Sequence, residues 1–402
     1  MTPPAPLTWQ EDGHPRSALW VTDHEARPPA KLMVVDDTLN ADTAYRLACE
    51  GTGLLWRGDF QNARQLLQAL KRRLERPARP KKSSTKHRDS AHPAPSAFNA
   101  HRQAQSQRVR VLGQILIELQ PDYSIALRRA PAAQTALQQA FGPADGQNRV
   151  VSLRSLQGVI GAFEWRKNGV EVPALGENLS IHPHYGVFSP VRGEYVQLVA
   201  QAPWPAALKT HSVAFDIGVG TGVLSALLAR RGAAQVIATD LSERALACAR
   251  DNLQRLGLQN QVQLLHTDLF PPGQAALVVC NPPWLPARPT SLLEQAVYDE
   301  GSQMLKGFLG GLKAHLIEGG EGWLILSDLA EHLGLRTREE LLSWIADAGL
   351  QVLGRTDVKP VHGKAQDPSD PLHAARAAEV TSLWRLGSVL ALPVMDPGSS
   401  PG

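Results

Sequence analysis

The chain has 402 residues, 43% of them hydrophobic and 20% charged, with a formal net charge of +3. That length exceeds one typical domain, and the composition is that of an ordinary globular protein. Three scattered cysteines exclude a disulfide framework, the absence of any eighteen-residue apolar run excludes a membrane-spanning helix, and so small a charge does not mark the whole chain as a nucleic-acid binder.

The start, MTPPAPLTWQEDGHP, lacks the basic-then-apolar order of a secretory leader, which predicts a cytoplasmic protein. Residues 1–75 read as a helical region. Within it, residues 41–75 alternate polar positions with Leu66, Leu67, Leu70 and Leu74, a spacing that suits amphipathic helices. Between Lys71 and Arg110 the charge is strongly one-sided, with twelve lysines and arginines against Glu75 and Asp89. Proline, serine and few bulky apolar residues make 76–105 a basic flexible linker, better read as a solvated connector than as an RNA-binding arm. Residues 106–182 form an accessory region. There VRVLGQILIELQ suits a buried helix or strand, and the stretches 150–165 and GVEVPALGENLSIHPHYGVFSP suit a helix followed by short strands. No internal repeat is present.

From about residue 210 strand and helix alternate. Strands are predicted over 213–217, 235–239, 262–266, 276–280, 322–327, 350–358 and 379–386. Helices are predicted over 224–231, from Ser242 onward, 304–317 and 338–348. This is an α/β Rossmann-like pattern with helices on both faces of a mostly parallel sheet. Only a polar loop joins the last two strands, which predicts an antiparallel pair at one edge. The fold class is thus a seven-stranded Rossmann-like sheet with an antiparallel last strand, preceded by a mostly helical N-terminal region.

Two turns carry chemistry. Asp216-Ile-Gly218-Val-Gly220-Thr-Gly222 joins the first strand to the first helix, where glycines allow a ligand close to the backbone. Asp240 ends the second strand, placed to accept both hydroxyls of a ribose. A dinucleotide site is the rival reading, but it spaces its glycines differently and lays a pyrophosphate on the helix N-terminus. A carboxylate at Asp216 would repel that group, yet it suits the cationic methionine end of S-adenosylmethionine (SAM). Asp268, in Thr267-Asp268-Leu269-Phe270, can accept from an adenine amino group. The second turn is Asn281-Pro282-Pro283-Trp284, where two prolines end an apolar strand on a stiff platform.

Together these segments resemble the class I SAM-dependent methyltransferases of the small-domain type, over residues 183–358. DIGVGTG resembles their cofactor loop, which implies SAM contacts at Asp216, Gly218, Val219, Gly220, Thr221 and Gly222. ATDLSERALACARDN and HTDLF resemble the ribose-side and adenine-side segments, which implies Asp240, Leu241, Asp268 and Leu269. CNPPW resembles the motif of enzymes that methylate planar nitrogens, which implies Asn281 and Pro282 as catalytic and Pro283 and Trp284 as further substrate contacts, with Asn281 also at the cofactor. GVFSPVRGEYVQLV and VYDEGSQMLKGFLGGL are similar to segments of the release-factor glutamine methyltransferases. Three features depart from that group: Trp284 stands where tyrosine is usual, Ser189-Pro190-Val191-Arg192 replaces an Ile-Pro-Arg core, and about 180 residues precede the motifs. A long N-terminal region is also reminiscent of ribosomal-RNA guanine methyltransferases.

The resemblance implies methyl transfer to a protein glutamine, as on a translation factor. An exocyclic amine of an RNA or DNA base is the alternative, and a non-catalytic SAM-binding assembly protein is a further one. In the catalytic reading, the Asn281 side-chain carbonyl and the Pro282 backbone carbonyl take both N–H bonds of a planar NH2 group and localise its lone pair, while Trp284 stacks on it. Cys280 reads as a small buried hydrophobe, His182 and His184 do not make a metal site, and residues 164–167 read as a surface helix end.

Overall fold

The computed structural model describes residues 6–22, 27–75, 95–190, 193–360, 367–368 and 370–389. The first of its two large sheets contains β1 (Pro6–Glu11), β2 (His14–Val21), β3 (Lys31–Val35), β4 (Thr52–Trp56), β5 (Ile115–Leu119) and β6 (Arg149–Ser152). Their order is β1-β2-β6-β5-β4-β3. Strands β3, β4 and β5 run parallel, whereas β5 and β6 pair antiparallel.

Five helices accompany this sheet: α1 (Ala41–Cys49), α2 (Phe60–Glu75), α3 (Pro95–Leu112), α4 (Gln134–Phe141) and α5 (Leu153–Asn168). The leucine spacing of α2 buries Leu66, Leu67 and Leu70, which pack with Ala44, Leu54, Trp56, Ile115 and Leu156. A smaller cluster of Leu7, Trp9, Trp20, Leu55 and Leu116 gathers separately. The region expected to be mostly helical therefore holds the expected helices and, between them, a sheet. Strand β4 is buried at every position, so it lacks the alternation that would have announced it. Of the expected linker 76–105, residues 76–94 lie outside the described residues, and 95–105 belong to α3.

After a two-strand ladder of β7 (Val170–Glu171) and β8 (Ser180–Ile181) comes α6 (Glu194–Gln201). The second sheet is built from β9 (Val213–Ile217), β10 (Gln235–Asp240), β11 (Val262–His266), β12 (Ala275–Cys280), β13 (Leu316–Ser327), β14 (Leu350–Val358) and β15 (Thr381–Ser388). Helices α7 (Val223–Arg230), α8 (Glu243–Arg255), α9 (Gln303–Leu312), α10 (Leu329–His332), α11 (Arg338–Asp347) and α12 (His373–Ala378) connect them. The order is β11-β10-β9-β12-β13-β15-β14, and β15 is antiparallel to both its neighbours.

Ser242 caps α8 by accepting from the Ala245 amide, as its position in the sequence suggests. Successive residues of β12 point to opposite layers. From Leu277 onward this holds strictly: Leu277 and Val279 join the cluster of Leu224, Leu228 and Leu253, whereas Val278 and Cys280 join that of Phe308, Leu312 and Ile345. Helix α9 ends sooner than the expected 304–317, because Leu316 already pairs with Ala275 before a register shift. Helix α12 was not expected in its polar loop.

Helix α9 presents two glycines to the loop after β11. A Cβ at Gly307 would lie 2.6 Å from Leu269, and one at Gly311 would lie 2.4 Å from the Phe270 ring. That ring is stacked on both Phe308 and His315 and has little room to yield. Gly311→Ala should therefore lower stability by about 1–2 kcal/mol net, read as a reduced urea midpoint, because overpacking outweighs the roughly 1 kcal/mol helix preference of alanine over glycine.

Candidate functional site

Ile217 pairs with Cys280 on one side and Thr239 on the other, so Gly218, Asp240 and Asn281 leave three parallel strands at one level. The connections diverge between β9 and β12, and a crevice opens at the strand ends there. It forms a cavity of about 660 Å³. Of the expected site residues, Gly218, Val219, Gly220, Thr221, Asp240, Leu241, Asp268, Leu269, Asn281, Pro282, Pro283 and Trp284 line it. Asp216 and Gly222 stand behind the turn and do not reach its surface.

The turn's shape requires glycine at two points. Gly218 has φ +81°, donates its amide to the Thr239 carbonyl at 3.0 Å, and would place a Cβ 2.9 Å from Met304. Gly222 has φ +82°, and a Cβ there would press on the Ala249 backbone of α8 at 3.2 Å. Asp240 fixes the turn from the next strand. One carboxylate oxygen accepts from the Gly220 amide at 3.1 Å and the other from the Ser242 amide at 2.8 Å. Burial raises its pKa, and those two amides oppose the rise.

Asp216 is 1% exposed. Its Oδ2 accepts from the Ser225 hydroxyl at 2.5 Å, while Oδ1 is buried without a hydrogen-bond partner. Burial pushes its pKa up to about 6; Ser225 works against the shift and the nearby Asp240 charge adds to it. A buried acceptor held just behind a ligand turn supplies negative potential that a cationic ligand would relieve.

The lining confirms which ligand charge the cavity suits. Among the described residues it contains the carboxylates of Asp240, Asp268, Asp299 and Glu379 against one guanidinium, that of Arg376, itself 3.1 Å from Asp370. A pyrophosphate would meet this acidic wall unfavourably, whereas a sulfonium-bearing nucleoside fits it. The lining therefore fits SAM in charge, and the Gly218–Gly220 backbone leaves room for close approach of a ligand.

On the other wall, the indole Nε1 of Trp284 donates to Asn281 Oδ1 at 2.9 Å. An indole nitrogen can only donate, so this bond determines which way the Asn281 amide faces. The partly buried Trp284 ring also packs against the cores on both faces of the sheet. Beside the expected stacking role of Trp284, the structure shows a second one: the ring edge holds the asparagine of its own motif.

Sequence reasoning missed several lining residues. Asp299 accepts from the Met304 and Leu305 amides, so it caps α9 across the left-handed Gly301 and Ser302. An acid shortly before an apolar helix was the available signal, but the intervening kink hides the spacing. Arg376 and Glu379 come from distant segments with no motif to flag them, whereas Tyr195, whose hydroxyl pKa burial raises, lies within the GVFSPVRGEYVQLV segment without having been singled out there.

The residues set aside behave as packing elements. Cys280 is fully buried, and desolvation pushes its thiol pKa well above the ordinary value. His182 Nδ1 lies 2.7 Å from the Arg166 carbonyl, and His184 Nε2 lies 2.9 Å from Asp251. No metal-binding cluster occurs among the described residues. Arg166 is paired with Asp251, Trp165 is half exposed, and Arg192 lies outside the described residues.

The strand order, the glycine turn and the acidic crevice define a class I methyltransferase fold. Residues 178–331 match the family profile of the methyltransferase small domain. Over 129 residues the chain is 33% identical to the release factor glutamine methyltransferase of Cereibacter sphaeroides, covering 29% of this chain and 46% of that protein. It is 41% identical over 106 residues to the enzyme of the same name from Caulobacter vibrioides, covering 25% and 36%. It is also 34% identical over 115 residues to the ribosomal protein uL3 glutamine methyltransferase of Neisseria gonorrhoeae, covering 28% and 38%. The chain spans less than half the length of each of these relatives.

Two outcomes follow from the carboxylates. Asp240→Ala should weaken SAM binding by about 10- to 100-fold in calorimetry, the loss of a charged hydrogen-bonding group. Asp216 holds its proton to about pH 6 when folded but to near pH 4 when unfolded. Its contribution therefore favours the fold below pH 4 and is lost as pH rises through 6, on the order of 3 kcal/mol. Relative to wild type, ligand-free Asp216→Asn should gain stability across that window in urea titrations; a flat difference would remove burial as the cause.

Proposed function

We propose that the protein is a SAM-dependent N-methyltransferase acting on the planar amide nitrogen of a protein glutamine. Residues 183–402 form its catalytic domain and residues 1–182 an accessory part. The observation that carries this reading is the Asn281 side-chain oxygen, fixed by Trp284 at 2.9 Å on the wall of the cavity that also holds Gly218 and Asp240.

An amide nitrogen is a poor nucleophile because its lone pair is delocalised into the carbonyl. Asn281 Oδ1 keeps one lone pair after accepting from Trp284 and can accept one N–H of the substrate. The Pro282 carbonyl accepts the other. The prolines and the indole bond set this geometry before substrate arrives, so little reorganisation accompanies the reaction. Held this way, the nitrogen becomes more tetrahedral and its lone pair localises, and one of the two held protons departs once a new bond has formed. SAM, when bound, supplies an activated methyl group. The carboxylates of Asp216 and Asp240 favour a cation in the cofactor half.

Two features support protein over nucleic acid as acceptor. The cavity wall is acidic and would repel a phosphodiester backbone. Within the basic stretch, Arg73, Arg102 and Arg108 are already engaged by Asp42, Glu294 and Glu75. Three of the proteins matched carry glutamine methyltransferase in their names, two for release factors and one for ribosomal protein uL3.

The test is incubation with methyl-labelled SAM and, separately, a purified peptide release factor, ribosomal protein uL3 and ribosomal RNA. Mass spectrometry of the product should find a methylated glutamine side chain; label confined to RNA would sink the reading. Asn281→Ala should keep SAM affinity while lowering methyl transfer by at least about 100-fold.

A further inference from the structure

The acceptor wall of the cavity is braced from outside the methyltransferase sheet. Residues 285–299, which follow the Asn281–Trp284 motif, form a loop closed at its base. The Leu285 amide donates to the Val297 carbonyl at 3.1 Å, and the Asp299 amide donates to the Leu285 carbonyl at 2.8 Å. Leu285, Val297 and Tyr298 face the cavity.

Helix α3 lies against the back of this loop. Phe98, 2% exposed, packs in a cluster with Leu285, Leu329, Leu333 and Ala375. One turn further on, the Arg102 guanidinium sits 4.0 Å from the centroid of the Tyr298 ring. Its Nη2 donates to the Arg288 carbonyl at 2.8 Å and lies 3.6 Å from Glu294. Glu294 in turn accepts from the amide and hydroxyl of Thr290. Arg102 Nη1 is buried with no hydrogen-bond acceptor, which leaves the π face of Tyr298 to meet the charge.

The other end of α3 belongs to the first sheet's core. Val111 and Leu112 are buried there with Leu70 and Ile115, and Arg108 is paired with Glu75. An eighteen-residue helix is about 27 Å long, so α3 is a rigid strut from that core to the loop.

We propose that Arg102 is a positioning residue: through Tyr298, Arg288 and Glu294 it holds the 285–299 loop, and with it the acceptor half of the cavity, in place. The N-terminal region thereby shapes the pocket without touching the cofactor half. This rests on the reading above that the acceptor glutamine enters beside Trp284.

The test compares Arg102→Ala and Arg102→Lys with wild type in full-length protein. Hydrogen–deuterium exchange followed by mass spectrometry reads the loop without any substrate. In Arg102→Ala, exchange in peptides covering 285–299 should rise about tenfold while peptides covering 213–222 stay unchanged. SAM affinity should stay within about twofold, since no contact to the Gly218 or Asp240 turns is lost. The KM for the methylated protein should rise about tenfold, with a smaller change in kcat. Arg102→Lys keeps a cation over Tyr298 and should restore part of both effects. Unchanged loop exchange, or exchange raised equally throughout with SAM affinity falling in step, overturns the proposal. A loop-confined rise in a protein whose wild type methylates no glutamine supports Arg102's role and overturns the glutamine reading instead.

Discussion

The parallel ladder joining β10, β9 and β12 is the constraint from which the site follows. Because Thr239, Ile217 and Cys280 lie in register, the glycine turn, Asp240 and Asn281 have no freedom to drift apart. Most residues of the ladder are apolar and buried, so slipping by one position would turn whole rows of side chains into the wrong layer. The two halves of the cavity, proposed above to take cofactor and acceptor, are thus neighbours by virtue of backbone hydrogen bonding.

Electrostatics then divides the cavity. A buried Asp216 with an unsatisfied oxygen is costly for an empty protein, and among the described residues no lysine or arginine neutralises it. The arrangement makes sense when the missing positive charge arrives with a ligand, at which point burial strengthens the attraction. The acceptor wall uses a different device. There the charges are matched within the protein, Arg376 with Asp370 and Arg102 with Glu294, and recognition falls to fixed oxygens and aromatic surfaces.

Much of the second sheet was legible in the sequence. Apolar runs, a glycine-rich turn and acids at strand ends are local signals, and β9 and β11 begin and end where the apolar pattern does. The asparagine–proline turn was equally plain, since two prolines after four apolar residues leave little choice. What stayed hidden depends on distance along the chain. The bond from Trp284 to Asn281 needs a particular ring orientation, not merely a spacing. Arg102 and Tyr298 are almost two hundred residues apart, and Arg376 sits on a helix inside what reads as a polar loop, with Glu379 directly after it. The first sheet escaped notice for another reason: short strands such as β4, buried all along their length, show neither a helical nor an alternating period.

The strut has a consequence in time. Helix α3 leaves the ribosome long before the segments that cover Phe98, the last of which reach Ala375. At synthesis rates of about 5–20 residues per second, its apolar end waits roughly 15–55 s for the last of its partners. The cluster around Phe98 is thereby closed by the later-made half of the chain, so the earlier-made helix is in place as a mould for the loop it braces.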